Sequence, residues 1–307
     1  MVSYLKVPIS GHALVLSHSV LGVLGGSSIA VLRILRWRTP LDSPKIDLMK
    51  FGICMPVDNA AAARTAGWDF VEESAQSILQ PLVADAQWTG SARAQSASLP
   101  VRAVNLLVPA SIKVVGASVD RDQLRSYMTT AIARAASLGI RTLVFGSGGA
   151  RMIPDGFDRA AAHRQVIEFL RMCADILAPT KVVLAVEPLN RGECNQINLL
   201  SEALACVREV DHRSIRVLLD SYHLWLENEP VDVILKAGPW LNHVHVSDIE
   251  KRAAPGETGK CDYRTFFNAV KSTGYDSTIC VEAIGFTDMT TMGPRVLDFL
   301  KQQWAAA

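Results

Sequence analysis

Short apolar runs that alternate with longer helix-patterned segments constrain the fold of this chain more than any other feature. From residue 49 onward, each apolar run fits a buried strand and each intervening segment fits an amphipathic helix. Such alternation is typical of βα repeats around a parallel sheet. The sequence predicts eight strands, at 50–56, 70–73, 102–108, 141–145, 182–187, 215–220, 243–247 and 279–282.

The number of repeats decides between the two common parallel α/β architectures. Eight βα units within residues 49–307 match a (β/α)8 TIM barrel, which takes about 250 residues, and do not match a doubly wound open sheet. No linker, low-complexity tract or internal repeat interrupts these residues, so they predict a single domain. The predicted helices cover 60–66, 120–138, 159–177, 199–210, 230–237 and 263–273, with Asp120 as an N-cap.

Residues 1–48 do not share this pattern. They contain an apolar run at 13–35, which is interrupted by Arg33 and followed by the basic patch 36–38. An arginine inside the run disfavours a membrane span, and neither the strongly basic start nor the clear cleavage site of a signal peptide is present. Because MKFGICMPV from Met49 reads as a first barrel strand, we expect residues 1–48 to be a disordered extension or a mis-assigned start.

The net charge and the cysteine content limit the binding partners and the cellular compartment that the sequence predicts. The 307-residue chain has a net charge of +1, and residues 49–307 carry 26 basic against 28 acidic side chains, so neither nucleic acid nor a membrane is expected as a partner. The six cysteines are scattered without a CxxC pair. This favours reduced thiols over a disulfide framework, and with them a cytoplasmic protein. The sequence does not decide whether the protein forms a homo-oligomer.

Each of the last four predicted strands delivers one metal-ligating side chain near its carboxyl end. One strand-end aspartate alone is more often a helix cap, and one strand histidine alone is more often a core residue. A barrel, however, brings the carboxyl ends of its strands together to form the active face. The sequence therefore predicts a metal site formed by Glu187, Asp220, His245 and Glu282.

The donor types indicate which ion this site prefers. Carboxylates with one imidazole suit a divalent, oxygen-preferring ion, Mn²⁺ first, with Mg²⁺, Co²⁺ and Zn²⁺ as alternatives. The absence of a thiolate from the set argues against a structural zinc site. We therefore expect one divalent metal ion as the cofactor.

Four segments carry a family resemblance: VEPLNRGECNQI (186–197), VLLDSYHLW (217–225), HVHVSDIEKRAAPG (243–256) and CVEAIGF (280–286). They resemble the sugar phosphate isomerase/epimerase group of xylose-isomerase-like barrels, and within it the ketose 3-epimerases of the tagatose and psicose type. The turn FGSGGARMIPDGFDR (145–159) is also similar. The resemblance extends over residues 49–304 and implies a metal-dependent sugar isomerase or epimerase of carbohydrate metabolism.

The resemblance implies a role for individual residues. The family's metal ligands fall on the same four strand-end side chains, and its catalytic acid and base fall on Glu187 and Glu282. Epimerising a ketose removes a weakly acidic proton next to a carbonyl. A divalent ion stabilises the resulting enediolate, while one glutamate takes the proton and the other returns one on the opposite face. A ketose or a related polyol is therefore the expected substrate.

Substrate contacts are also implied. They fall on Glu193 and His223, for which a surface charge and a helix-capping histidine are the plainer alternatives. A basic residue after HVHVSD contacts substrate in the family. Counting from His245 gives Lys251, whereas aligning on the following PG gives Arg252, because the loop differs in length.

Further polar positions lie near the same face. His243 shares a strand face with His245, and we interpret it as a substrate contact or as support for that ligand. Glu72 either touches substrate or forms a salt bridge inside the barrel mouth. The turn 146–149 lacks the lysine of a phosphate-binding loop, so close packing is the preferred interpretation.

Three other functions use related barrels. A dehydratase of the inosose or dehydroshikimate type begins with the same proton abstraction. A DNA-repair enzyme of the endonuclease IV kind needs more histidines and a basic DNA-binding face, whereas residues 49–307 contain five histidines and a slight acidic excess. A sugar-binding relative without catalysis need not keep all four ligands. An isomerase or epimerase is therefore preferred.

Overall fold

The computed structural model describes residues 4–9, 12–17, 49–286 and 288–307. The chain divides into two units, Met1–Ile46 and Asp47–Ala307. In the first unit, β1 (Tyr4–Ile9) and β2 (His12–Ser17) pair antiparallel. Most of the predicted apolar run 13–35 lies outside the described residues, so the expectation for residues 1–48 stays a prediction.

The second unit is a closed barrel of eight parallel strands that pair in chain order, with the last strand beside the first. The predicted (β/α)8 fold is confirmed. Five of the eight strands begin and end within one residue of the predicted bounds, and a sixth, Lys50–Cys54, begins at the predicted residue. The strands are β3 (Lys50–Cys54), β4 (Phe70–Ser74), β5 (Val101–Asn105), β6 (Thr142–Phe145), β7 (Val183–Val186), β8 (Ile215–Asp220), β9 (Leu241–Val246) and β10 (Thr278–Val281).

Helices connect these strands, and the longer predicted ones are confirmed. The predicted helix 159–177 has the observed bounds of α6, and Asp120 caps α4 as predicted. The helices are α1 (Ala60–Thr65), α2 (Ala75–Ile78), α3 (Gly90–Ser96), α4 (Arg121–Ser137), α5 (Gly148–Arg151), α6 (Arg159–Leu177), α7 (Leu200–Val210), α8 (Ser221–Leu226), α9 (Asp232–Ala237), α10 (Tyr263–Ser272) and α11 (Met292–Ala306).

Two differences from the sequence-based expectation bear on the site. The predicted strand 102–108 ends early, at Asn105, because Leu106 adopts a left-handed conformation with φ of 48° and turns the chain out of the sheet. The residues after Asp220 form the short helix α8, where a loop was expected. Asp220 itself starts this helix by accepting a hydrogen bond from the backbone N–H of Tyr222.

The barrel interior is apolar on one side. Val144, Ala185 and Leu218, from β6, β7 and β8, form a buried cluster separate from the main core. Every second residue of a strand lies on the same face. Glu187 and Asp220 follow Ala185 and Leu218 by two positions, so the pattern that buries this cluster also directs both carboxylates into the mouth above it.

Two properties of the described chain concern its environment. None of the six cysteines is in a disulfide bond. Within the same part of the chain, no helix combines the length and the apolarity that crossing a membrane would require.

We expect the Asp120→Ala substitution to destabilise the protein by about 1 kcal/mol, because Asp120 Oδ1 accepts hydrogen bonds from the N–H groups of Asp122 and Gln123 at 3.0 and 2.9 Å. The shift of the urea unfolding midpoint measures the loss. Asp120→Ser, which keeps a capping oxygen, is the matched control and should restore most of the stability. Equal midpoints for the wild type and the alanine variant would contradict this account of how α4 begins.

Candidate metal centre and active site

The four predicted metal ligands come together at the carboxyl end of the barrel. Glu187 and Glu282 directly follow β7 and β10, Asp220 is the last residue of β8, and His245 lies in β9. One ligand atom from each lies within 4.8 Å of every other. Two atoms on opposite sides of an ion bound at about 2.1 Å are about 4.2 Å apart. The described side chains can therefore converge on one divalent cation with a small contraction.

The polar atoms of this cluster also fit a cation. Glu187 Oε1 is buried, has no hydrogen-bond partner among the described residues, and lies 3.4 Å from His245 Nδ1. Asp220 uses Oδ1 for the helix cap, which leaves Oδ2 directed at the site. His245 Nδ1 lies 3.1 Å from Glu282 Oε2. Three carboxylates and one imidazole nitrogen form a hard donor set, which suits Mn²⁺ or Mg²⁺ better than a softer ion.

The turn after β6 is shaped around Glu187. A Cβ on Gly146 would lie 2.3 Å from Glu187 Oε2, so a larger residue here would displace the carboxylate from its present position. The buried Arg151 guanidinium donates to the carbonyl oxygens of Phe145 and Glu187, at 3.2 and 2.7 Å, and fixes both strand ends. This agrees with the interpretation of 146–149 as a closely packed turn, although the short helix α5 within it was not expected.

Behind the cluster, Glu72 joins two histidines. Its carboxylate lies 3.0 Å from His245 Nε2 and 2.9 Å from His243 Nε2, and all three side chains are buried. His243 Nδ1 in turn lies 2.7 Å from Thr278 Oγ1. Glu72 therefore forms a salt bridge inside the mouth, one of its two expected roles. A carboxylate that accepts the Nε2 proton of His245 leaves Nδ1 free for a metal ion.

His243 is therefore placed below the mouth, on the same strand face as His245, as the alternation predicted. It is fully buried and contacts Glu72 and Thr278. Of its two expected roles, the structure agrees with support for a ligand.

Charges in the cluster shift the two glutamates in opposite directions. Burial raises the pKa of Glu187, and the neighbouring carboxylates of Glu282 and Asp220 raise it further. Burial also disfavours the charged form of Glu282, but His245 and Arg252 outweigh this effect and lower its pKa to about 2. Burial lowers the pKa of His245, whereas Glu72 and Glu282 raise it well above its usual range.

Arg252 and Lys251 occupy different positions. The Arg252 guanidinium lies 3.2 Å from Asp220 Oδ2 and contacts Glu282 Oε2 more closely, while its face covers the ring of Tyr222 at 4.9 Å. Lys251 is exposed, and no hydrogen bond or ion pair joins it to the rest of the described chain. The structure thus brings Arg252 to the site and leaves Lys251 outside it, which favours the alignment on the PG motif.

His223 and Glu193 lie at the rim. His223 is buried in α8, where its Nδ1 accepts a hydrogen bond from the Asn190 N–H at 3.0 Å. Its Nε2 has no hydrogen-bond partner among the described residues and lies 3.6 Å from Asp220 Oδ2. Glu193 Oε1 accepts from Asn190 Nδ2 at 2.8 Å and lies 3.7 Å from Arg252. Both side chains are therefore within the same polar network as the metal ligands.

Asn105 is a site residue that the sequence did not reveal. It ends β5, and its Nδ2 donates to Glu282 Oε1 at 3.0 Å. The only signal was one amide at the end of a strand whose other polar residue is Arg102. The sequence could not indicate that this amide reaches a carboxylate 177 positions away.

The fold and the site define a class of protein: a TIM barrel with an acid-rich centre at the carboxyl ends of its strands. The model of the xylose isomerase-like TIM barrel family matches residues 60–303. This chain belongs to that family, which confirms the resemblance seen in the sequence.

Individual relatives match shorter segments. A D-psicose 3-epimerase of Agrobacterium fabrum is 29% identical over 126 residues, which is 41% of this chain and 43% of that protein. A hydroxypyruvate isomerase of Escherichia coli is 24% identical over 164 residues, 52% of this chain and 62% of that protein. The match therefore spans less than two thirds of the length of either relative.

Solved structures show the same fold. A crystal structure of D-psicose 3-epimerase from Clostridium cellulolyticum H10 with D-tagatose superposes with a TM-score of 0.72 and 20% identity. The superposition covers 83% of this chain and 99% of that one.

We expect Glu72→Gln to weaken Mn²⁺ binding by about 10- to 100-fold, because the amide cannot hold His245 and His243 as a carboxylate does. Isothermal titration calorimetry with MnCl₂ measures the change. Glu73→Gln is the matched control, since Glu73 instead accepts from the N–H groups of Val57 and Ser74. An unchanged affinity in a folded Glu72→Gln protein would show that Glu72 does not support the metal centre.

Proposed function

We propose that this protein is a divalent-metal-dependent sugar isomerase or epimerase that acts on a ketose or a related polyol. The observation that carries the proposal is the convergence of Glu187, Asp220, His245 and Glu282 at the mouth of a barrel of this family. The relatives named as epimerases and isomerases support the reaction class. Mn²⁺ is the proposed ion, and it would polarise the substrate carbonyl and stabilise negative charge on its oxygen.

Glu187 and Glu282 are the proposed proton-transfer pair. They extend from β7 and β10, on different sides of the mouth, so a sugar between them would present opposite faces to the two carboxyl groups. One glutamate removes the proton next to the carbonyl, and the other delivers a proton to the enediolate. In the metal-free site the pKa of Glu187 is raised and that of Glu282 is lowered, so the two carboxyl groups have different environments.

Residues at the rim are the proposed substrate contacts. Arg252 carries a fixed positive charge beside Asp220 and Glu282 and can donate to a sugar oxygen. His223 Nε2 is directed into the site without a hydrogen-bond partner in the described chain. Glu193, whose side chain is 40% exposed, can accept from a hydroxyl group. Together they would hold the hydroxyl groups of a polyol while the two glutamates exchange protons.

We expect Glu282→Gln to lower turnover by about 10²- to 10⁴-fold, because an amide can neither take nor return the proton. The assay is proton exchange in D₂O, followed by NMR with ketoses, ketose phosphates, inososes and hydroxypyruvate in the presence of Mn²⁺. Glu168→Gln, at an exposed ion pair on α6, is the control and should keep full activity. Wild-type activity in a folded Glu282→Gln protein would refute the two-glutamate mechanism.

We expect exhaustive treatment with EDTA to abolish proton exchange, and added Mn²⁺ to restore it. The reason is that the proton next to a carbonyl is too weakly acidic for a carboxylate to remove without a cation on the carbonyl oxygen. The measurement compares the exchange rate before chelation, after dialysis and after reconstitution. Undiminished exchange in protein shown by elemental analysis to be free of metal would contradict metal dependence.

The dehydratase alternative is tested by the same samples. Elimination of water from an inosose would give a product that absorbs in the ultraviolet, whereas epimerisation would not. Exchange without such absorption favours the epimerase, and a rise in absorption favours the lyase.

A further inference from the structure

We propose that Asp248 is a positioning residue, which holds the loop 249–257 closed and thereby keeps the Arg252 guanidinium at the mouth of the barrel. Asp248 lies just beyond β9 and is neither a proposed metal ligand nor a proposed substrate contact. The inference deepens the proposed function and rests on it, because it concerns how a substrate contact is held in place. The closure of the loop itself does not depend on any sugar chemistry.

The Asp248 carboxylate accepts four hydrogen bonds. Its Oδ1 accepts from the Gly256 N–H and from the Tyr263 hydroxyl group, each at 3.0 Å. Its Oδ2 accepts from the N–H and the hydroxyl group of Thr258, at 2.8 and 2.7 Å. Asp248 is fully buried, so these donors take the place of water around the carboxylate. Both oxygens are therefore needed as acceptors.

These hydrogen bonds close the loop on itself. The Asp248 N–H donates to the carbonyl oxygen of Ala253 at 2.8 Å. Asp248 thus binds the middle of the loop through its backbone and the far end through its side chain. Tyr263 is the first residue of α10, and its ring packs edge-on against Trp225. The Tyr263 hydroxyl group therefore connects the closed loop to a helix of the barrel.

The backbone of Arg252 requires such support. Lys251 and Arg252 both have left-handed φ angles, 56° and 51°, which residues with a side chain rarely adopt. Such conformations persist where the surrounding structure holds them. The Arg252 carbonyl oxygen accepts from the Ile284 N–H at 2.7 Å, and Arg252 Nε donates to the Glu282 carbonyl oxygen at 3.3 Å. The segment after β10 thus holds Arg252 from one side, and the loop closed by Asp248 holds it from the other.

Asparagine at position 248 would keep the shape of the side chain but not its bonding. An amide offers one acceptor oxygen and one NH₂ group, whereas a carboxylate offers two acceptor oxygens. In either orientation of the amide, one backbone N–H, that of Gly256 or that of Thr258, would face the NH₂ group. The far end of the loop would then detach, and Arg252 would leave the mouth for part of the time.

Limited proteolysis of the full-length protein with trypsin tests the closure, because trypsin cleaves after lysine and arginine. We expect Asp248→Asn to accelerate cleavage after Lys251 and Arg252 by about 10-fold or more, since an unpaired buried N–H raises the open population by such a factor. Mass spectrometry locates the cleavage. Glu250→Gln is the matched control, because it removes only an exposed ion pair with Lys260 and should leave the rate unchanged.

A double-mutant cycle separates positioning from general damage to the site. We expect Asp248→Asn to raise KM for the ketose with the fastest proton exchange by about 10-fold, with a smaller change in kcat. In an Arg252→Ala background, the same substitution should leave KM unchanged, because Asp248 acts only through the arginine. The affinity for Mn²⁺, measured by calorimetry, should not fall. Additive effects on KM, or a loss of Mn²⁺ affinity, would reject the positioning role.

Thr258→Val is the second variant, in case Asp248→Asn does not fold. It removes one of the four hydrogen bonds and should accelerate tryptic cleavage of the loop by a smaller factor. Rapid cleavage of the wild-type loop, or equal rates in the wild type and both folded variants, would overturn the closure. Faster cleavage in Asp248→Asn of a protein that exchanges no proton with any ketose would reject the proposed function and leave the closure supported.

Discussion

The concentration of buried negative charge in the barrel mouth is the constraint on which the rest of the site depends. Four carboxylates share the space, and the positive charges beside them come from His245 and Arg252. Buried charges without partners cost about several kcal/mol each. The mouth is therefore predisposed to attract a cation, and both positive side chains lie where they reduce the repulsion. The carboxylates are those of Glu72, Glu187, Asp220 and Glu282.

His245 connects the two halves of this arrangement. One ring nitrogen faces the strand-end carboxylates, and the other faces Glu72. The contact between His245 Nε2 and Glu72, on β4, therefore sets the orientation of the imidazole ring at the mouth. Glu72 is held in turn by His243, so the position of His245, a proposed metal ligand, depends on residues that no substrate needs to touch. This dependence explains why polar side chains occupy one side of an interior whose other side is packed with Val144, Ala185 and Leu218.

The fold and the convergence of the four strand-end side chains could be predicted from the sequence because, in a barrel, position along the chain determines position in space. A side chain at the carboxyl end of any strand must lie at the mouth, so four strand-end residues sufficed to locate the centre. Loop residues obey no such rule. Lys251 and Arg252 both adopt left-handed conformations, with φ of 56° and 51°, and the path of the loop could not be deduced from spacing. Asn105 was missed because its partner comes from a strand across the barrel.

The difference between strand-end residues and loop residues also suggests how substrate specificity could change while the proposed metal centre is kept. The four proposed ligands are positioned by strand pairing, whereas Glu193, His223 and Arg252 lie on segments that follow the strands. Arg252 connects the strand-end residues to the loop residues. Its guanidinium contacts Asp220 and Glu282 and lies 3.7 Å from Glu193. A cation between Asp220 and Glu282 would compete with the Arg252 guanidinium for the same oxygens. The arginine would then be free to turn toward a substrate oxygen, so under the proposed function this one side chain would couple occupation of the metal centre to formation of the substrate pocket.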